Sequence, residues 1–96
     1  MKLFIIIVDS DHREDVQALL DQCGLPGYTE IPTVLGKGET GRKLGNRAFP
    51  GSSTLFFAAV DDDCAARLPG ELRRLRDERG REEGLKVYAM ETEELL

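Results

Sequence analysis

The chain has 96 residues, 41% hydrophobic and 32% charged, with a formal net charge of −5 and a pI near 4.8. This length argues for one domain, spanning 1–96. The composition excludes a disordered chain, and the acidic balance argues against a nucleic-acid binder, whose domain is usually basic.

Leu3–Val8 is a continuous apolar, β-branched run of strand length, the pattern of a strand buried on both faces. It is far too short to cross a bilayer, and no small-residue cleavage site follows it. The protein is therefore expected to be cytoplasmic, without membrane insertion, and its two cysteines, Cys23 and Cys64, to be reduced core thiols. Ser10 or Asp11 can cap a first helix, and Asp11 with Glu14 has capping-box spacing. Val16, Leu19, Leu20 and Cys23 form one apolar helical stripe. Gly24 fits the position after the helix end, and Pro26 forbids continuation.

A second strand begins at Tyr28–Ile31, with Pro32 at an edge or bulge. Thr54–Val60 reads as a third strand. Asp61, Asp62 and Asp63 favour the dipole at a helix N-terminus. Cys64, Leu68, Leu72 and Leu75 carry that helix to about Arg79. Pro69 removes a backbone donor and crowds the preceding turn, so a kink or break is expected near Leu68. Gly80 ends the helix, Leu85–Met90 is the last strand, and 91–96 is a short acidic tail. The order is the ferredoxin-like βαββαβ arrangement, an α+β fold with an antiparallel sheet and two helices on one face.

The long connection between the second and third strands, residues 34–51, is rich in glycine. It holds Lys37, Arg42, Lys43 and Arg47 against Glu39, a local charge of +3 that leaves −8 on the rest of the chain. Structureless loops of this length are uncommon in compact domains and are usually functional or disordered. The bland reading is a solvated hairpin connection with incidental charge. The functional reading is that the backbone of Gly36-Lys37-Gly38 approaches an anion while nearby cations supply charge. A bare Gly-x-Gly is a weak signal.

Other chemistry fits poorly. A metallochaperone needs closely spaced thiolates, and Cys23 and Cys64 stand far apart on apolar helical faces. An RNA-recognition domain needs stacking aromatics on its third strand, but Phe56 and Phe57 are adjacent, so one points inward. An acyl-phosphate hydrolase would want a phosphate cradle after the first strand, where Asp9-Ser10-Asp11 would repel phosphate. His12, the only histidine, is expected to be a solvated residue of the first helical turn, without a nucleophile beside it. An enzyme is not expected.

Together these residues resemble the P-II family of nitrogen regulatory signalling proteins and its divergent P-II-like relatives. Met1-Lys2-Leu3 looks like the family's start, and Gly24-x-x-Gly27-x-Thr29 like the approach to its second strand. Gly36-Lys37-Gly38 followed by Arg42-Lys43 looks like the base of its T-loop. Gly80 and Lys86-Val87-Tyr88 match the spacing of its second phosphate loop, Thr-Gly-x-x-Gly-Asp-Gly-Lys-Ile-Phe.

The resemblance implies a homotrimeric regulator that holds an adenine nucleotide (ATP, ADP or AMP) between subunits and has no covalent cofactor. Gly36, Lys37, Gly38, Gly80 and Lys86 would be nucleotide contacts, and Arg42, Lys43 and Arg47 would meet a target protein. The chain departs from the family where Arg79 replaces the threonine and where Glu83 and Leu85 replace two glycines. No C-terminal arginines precede Leu96, and the loop lacks the tyrosine that some members modify. The pattern thus implies a divergent member with an adenine nucleotide or another small anion as effector. A rival reading is a trimeric metal-associated protein of the CutA kind, using Asp61–Asp63 or Glu91, Glu93 and Glu94. A third is a scaffold that binds a partner and no effector.

Overall fold

A computed structural model describes residues 1–38, 41–43, 52–79 and 84–96. Strand β1 (Lys2–Asp9) leads through a 3-10 turn (Ser10–His12) into helix α1 (Arg13–Gln22). Strands β2 (Thr29–Val34), β3 (Gly36–Gly38), β4 (Gly41–Lys43) and β5 (Ser53–Val60) follow, then helix α2 (Asp62–Arg79) and strand β6 (Leu85–Glu91). The main sheet is antiparallel in the order β2-β5-β1-β6, with β3 and β4 forming a separate two-stranded ribbon. The ferredoxin-like arrangement expected from the sequence is present.

The core lies between the sheet and the two helices. β1 sends Phe4, Ile6 and Val8 inward, β5 sends Phe56, Ala58 and Val60, and the helices add Val16, Leu20, Leu68, Leu72 and Leu75. The two phenylalanines divide as their alternation requires: Phe56 is fully buried, and Phe57 faces outward. The helices run antiparallel. Arg79 at the end of α2 grips Asp15 near the start of α1 with two nitrogens, at 3.1 and 3.2 Å.

Several expectations meet a different outcome. The opposite ends of the helices are joined by a Cys23–Cys64 disulfide, so these residues are not reduced thiols here. The cause is the antiparallel packing, which sets the last turn of α1 beside the first turn of α2 at a Cα separation of 5.7 Å, the span a disulfide requires. The first turn is capped by neither Ser10 nor Asp11. Asp9 accepts from the Asp11 amide at 3.0 Å, because the Ser10 hydroxyl is engaged elsewhere. Helix α2 is one element through Pro69, so of the expected kink or break the break does not occur, and Leu68 and Leu72 on either side are buried in the core. That packing outweighs the lost backbone bond. His12 is only 22% exposed and lies 3.8 Å from Asp15, not free in solvent.

Other boundaries agree with the chain's chemistry. Gly24 takes a positive φ of 68° after α1, and its amide donates to the Asp21 carbonyl, closing the helix. Asp61 caps α2 by accepting from the Cys64 amide at 2.8 Å. β2 is an edge strand, and its register with β5 shifts between Ile31 and Val34, around Pro32.

Candidate functional site

The segment expected to be a structureless loop begins as a ribbon. One residue after β2, strand β3 pairs with β4 in the register Gly36–Lys43, Lys37–Arg42 and Gly38–Gly41. Glycine at three of these six positions hides the strand signal, since alternation needs side chains. The register sets Lys37 opposite Arg42 in backbone position. Lys37 is exposed, and a Cβ on Gly36 would meet no described atom within 4 Å. Among the described residues, nothing covers the side of Gly36 where a side chain would stand.

Both ends of the loop are fixed to the end of β1 by a hydroxyl cluster that was not anticipated. The Ser10 Oγ lies 2.9 Å from the Ser52 Oγ and 3.0 Å from the Thr54 Oγ1. The Thr54 hydroxyl, fully buried, donates to the Pro32 carbonyl at 3.0 Å. The Ser10 amide also donates to the Ser52 carbonyl at 3.1 Å. Pro32 precedes the loop, Ser52 and Thr54 follow it, and Ser10 stands between them. The sequence hint was a buried-position threonine opening an apolar strand, where a hydroxyl must find partners.

The remaining candidates divide as follows. Gly36, Lys37 and Gly38 lie together in β3, with Arg42 and Lys43 in β4. Arg47 and Gly80 lie outside the described residues, as does Glu83. Lys86 lies in β6, paired with Ile7 of β1. The strand order puts β2, which leads into the ribbon, at one edge of the sheet and β6 at the other. A single chain therefore does not gather the ribbon and Lys86 at one sheet edge.

The sheet face away from the helices is apolar across all four strands. Ile5 stands between Phe57 and Tyr88, and Leu3 between Ala59 and Met90. Ile7 stands between Leu55 and Lys86, and Leu55 pairs on to Ile31. Ile31, Phe57, Tyr88 and Met90 are exposed, with Tyr88 at 56%. Contiguous apolar surface of this kind marks an interaction site. Among the described residues, no group of three or more His, Cys, Asp or Glu side chains could hold a metal ion. Asp61 caps α2, and Asp62 lies 3.2 Å from the N-terminal ammonium. No helix among the described residues is long and apolar enough to cross a membrane.

The family model described as "Nitrogen regulatory protein P-II" matches residues 1–95. The chain belongs to the P-II family, whose members are signalling regulators and not enzymes. No functionally curated protein matches the sequence.

Among solved structures, the chain is similar to CPII, a nitrogen regulatory PII-like protein from Thiomonas intermedia K12, in its complex with ADP, AMP and bicarbonate. The identity is 24%, the match covers 93% of this chain and 82% of that one, and the TM-score is 0.76. CPII bound to ADP and bicarbonate matches at 25% identity with the same coverages and TM-score. A PII-like signalling protein of Thermus thermophilus matches at 22% identity, covering 93% of this chain and 83% of that one, with a TM-score of 0.63. Two of the ligands bound in CPII, ADP and AMP, are adenine nucleotides, the ligand class that the resemblance implied.

Proposed function

We propose that this chain is a trimeric, cytoplasmic regulator that binds an adenine nucleotide between subunits and contacts a target protein through the 34–51 loop. The observation that carries the reading is the β3–β4 ribbon, which sets Lys37 opposite Arg42 beside an open glycine backbone within a P-II family chain. Glycine backbone and paired cations suit phosphate.

The trimer is supported by two observations. The apolar sheet face needs cover, and a domain of this size buries only about 60–65% of its unfolded surface alone. β2, which leads into the ribbon, and β6, which carries Lys86, are also opposite edges of the sheet. One phosphate site using both forms where the β2 edge of one copy meets the β6 edge of the next. In CPII the ligands are ADP, AMP and bicarbonate, so the same nucleotides, with bicarbonate, are the effectors to try first. Arg42, Lys43 and Arg47 then present positive charge to an acidic partner surface.

The test is calorimetric titration with ATP, ADP and AMP, each with and without bicarbonate and magnesium, on protein of measured mass. One nucleotide per chain in a trimer is expected. Lys37→Ala with Lys86→Ala should weaken binding roughly tenfold or more, because each lysine removed is a charge-assisted phosphate contact. Unchanged affinity in that variant removes the site assignment. No heat with any nucleotide removes the effector.

A further inference from the structure

Two helices cover four strands, and edge strand β6 is covered least. Ala89 pairs with Phe4 and faces the helix side with it, yet Phe4 is 1% exposed while Ala89 is open to solvent. The gap between α2 and β6 is a groove of about 380 Å3. Phe4, Leu72, Val87 and Ala89 line it, and Arg73 and Arg76 bring positive charge to it. The Arg76 Nε is buried and makes no hydrogen bond among the described residues; the Asp77 carboxylate approaches only to 3.6 Å. The groove is thus apolar inside and cationic at its rim, with Arg73 and Arg76 of α2 on one side and Lys86 of β6 on the other.

The complementary chemistry is in the chain's own tail. Glu93-Glu94-Leu95-Leu96 carries two carboxylates followed by two leucines, and Leu95 and Leu96 are 81% and 111% exposed. Adjacent exposed leucines beside an uncovered apolar groove are a mutual solution to the same hydration cost.

We propose that the 93–96 tail of one copy docks in the α2–β6 groove of a neighbouring copy, its leucines against Leu72 and Val87 and its glutamates against Arg73 and Arg76. The occupant is a second copy, not the same chain. The Thr92 amide donates to the Met1 carbonyl at 3.3 Å, which holds the tail in line with the end of β6. Return to its own groove needs a tight reversal at 92–93, and Thr-Glu lacks the glycine or asparagine that two-residue reversals use. A head-to-tail contact of this kind closes into a ring when the rotation between copies permits it. The inference rests on the trimer proposed above and adds a contact to it.

The experiment is the mass of the protein against concentration, read by light scattering, for four forms. These are wild type, Leu95→Asp/Leu96→Asp, Arg73→Glu/Arg76→Glu, and the groove variant combined with Glu93→Lys/Glu94→Lys. Loss of two buried leucines should raise the concentration at which the trimer dissociates by about tenfold or more. The groove variant should act in the same direction, and the charge-exchanged form should recover. The tail variant removes no core contact, so its folding is not at issue. An intact trimer whose dissociation is unmoved by the tail variant overturns the tail contact and leaves the trimer standing. A lower melting temperature at unchanged dissociation means docking within one chain, which also overturns it. A monomeric wild type overturns both the contact and the trimer, while the nucleotide titration remains an independent reading of effector binding.

Discussion

Reducing the Cys23–Cys64 bridge is expected to lower the melting temperature by roughly 15–20 °C. The bridge joins positions 41 residues apart in sequence. Between them lie β2, the glycine-rich loop and β5, so the tie closes the most flexible part of the unfolded chain. In the chain-entropy picture a closed loop of that length removes about 13 cal/mol/K from the unfolded state, or about 4 kcal/mol at 25 °C. Unfolding entropy near 2.1 cal/mol/K per residue gives about 0.2 kcal/mol/K for a chain of this size, which converts 4 kcal/mol into about 20 °C. Measured values generally fall somewhat below such a figure. The assay is thermal unfolding by circular dichroism with and without dithiothreitol at one fixed protein concentration, since association also raises the midpoint. Intact mass with thiol labelling reports the redox state of each sample. Cys23→Ser is the matching variant, because Cys23 is partly exposed whereas Cys64 is buried and a hydroxyl there would lose its partners. A midpoint moving by less than about 3 °C on verified reduction would refute the loop-closure argument. Two free thiols in air-purified protein would show that the bridge does not form.

Gly36→Ala should leave folding stability within about 1 kcal/mol of wild type, because an added Cβ meets nothing described and the residue has no positive φ. The same change should weaken nucleotide binding roughly tenfold if phosphate rests on that backbone, and calorimetry on the folded variant separates the two effects. Tyr28 gives a pH prediction. Its phenol pKa is raised above the ordinary 10.0, first by desolvation and then by the carboxylates of Asp21 and Glu30. Folding therefore favours the protonated phenol. That contribution is complete below about pH 10 and disappears as pH rises through the folded-state value. Melts between about pH 8 and 11 should show an alkaline decline in wild type that Tyr28→Phe lacks; superimposable profiles would contradict this.

The parts of the fold that were legible are those where one physical demand dominates. Leu3–Val8 reads as a strand from its apolar, β-branched run, although only the Phe4, Ile6, Val8 face is buried and the Leu3, Ile5, Ile7 face is half-exposed, not buried as expected. Val16 and Leu20 mark α1 because a two-layer fold buries a stripe of each helix. Gly24 and Asp61 were readable because a helix end needs a positive φ or a capping oxygen. What escaped depends on residues distant in sequence. The disulfide follows from the antiparallel helices and leaves no motif. The β3–β4 ribbon is half glycine and has no alternation to read. Ser10 looked like a helix cap, but its better partners, Ser52 and Thr54, are more than 40 positions away. Pro69 was read by its local cost, which the buried Leu68 and Leu72 outweigh. At the candidate site the residue types were visible, but the placement of β2 and of the strand that carries Lys86 at opposite sheet edges was not.

That hydroxyl cluster also bears on how an effector could signal. Thr54 is fully buried, and its hydroxyl holds the Pro32 carbonyl on β2 while Ser10 ties Ser52 and Thr54 to the end of β1. Breaking these contacts would strand buried polar atoms, so the cluster is a costly place for movement. At the ribbon, by contrast, no described atom stands within 4 Å of a Cβ placed on Gly36, and Lys37 is exposed. An effector at the ribbon therefore sits beside a fixed boundary, the ends of β2 and β5 that the hydroxyl cluster ties to β1. On the function proposed above, a target protein that recognises the liganded state would meet the segment between Val34 and Ser52, which carries a net charge of +3.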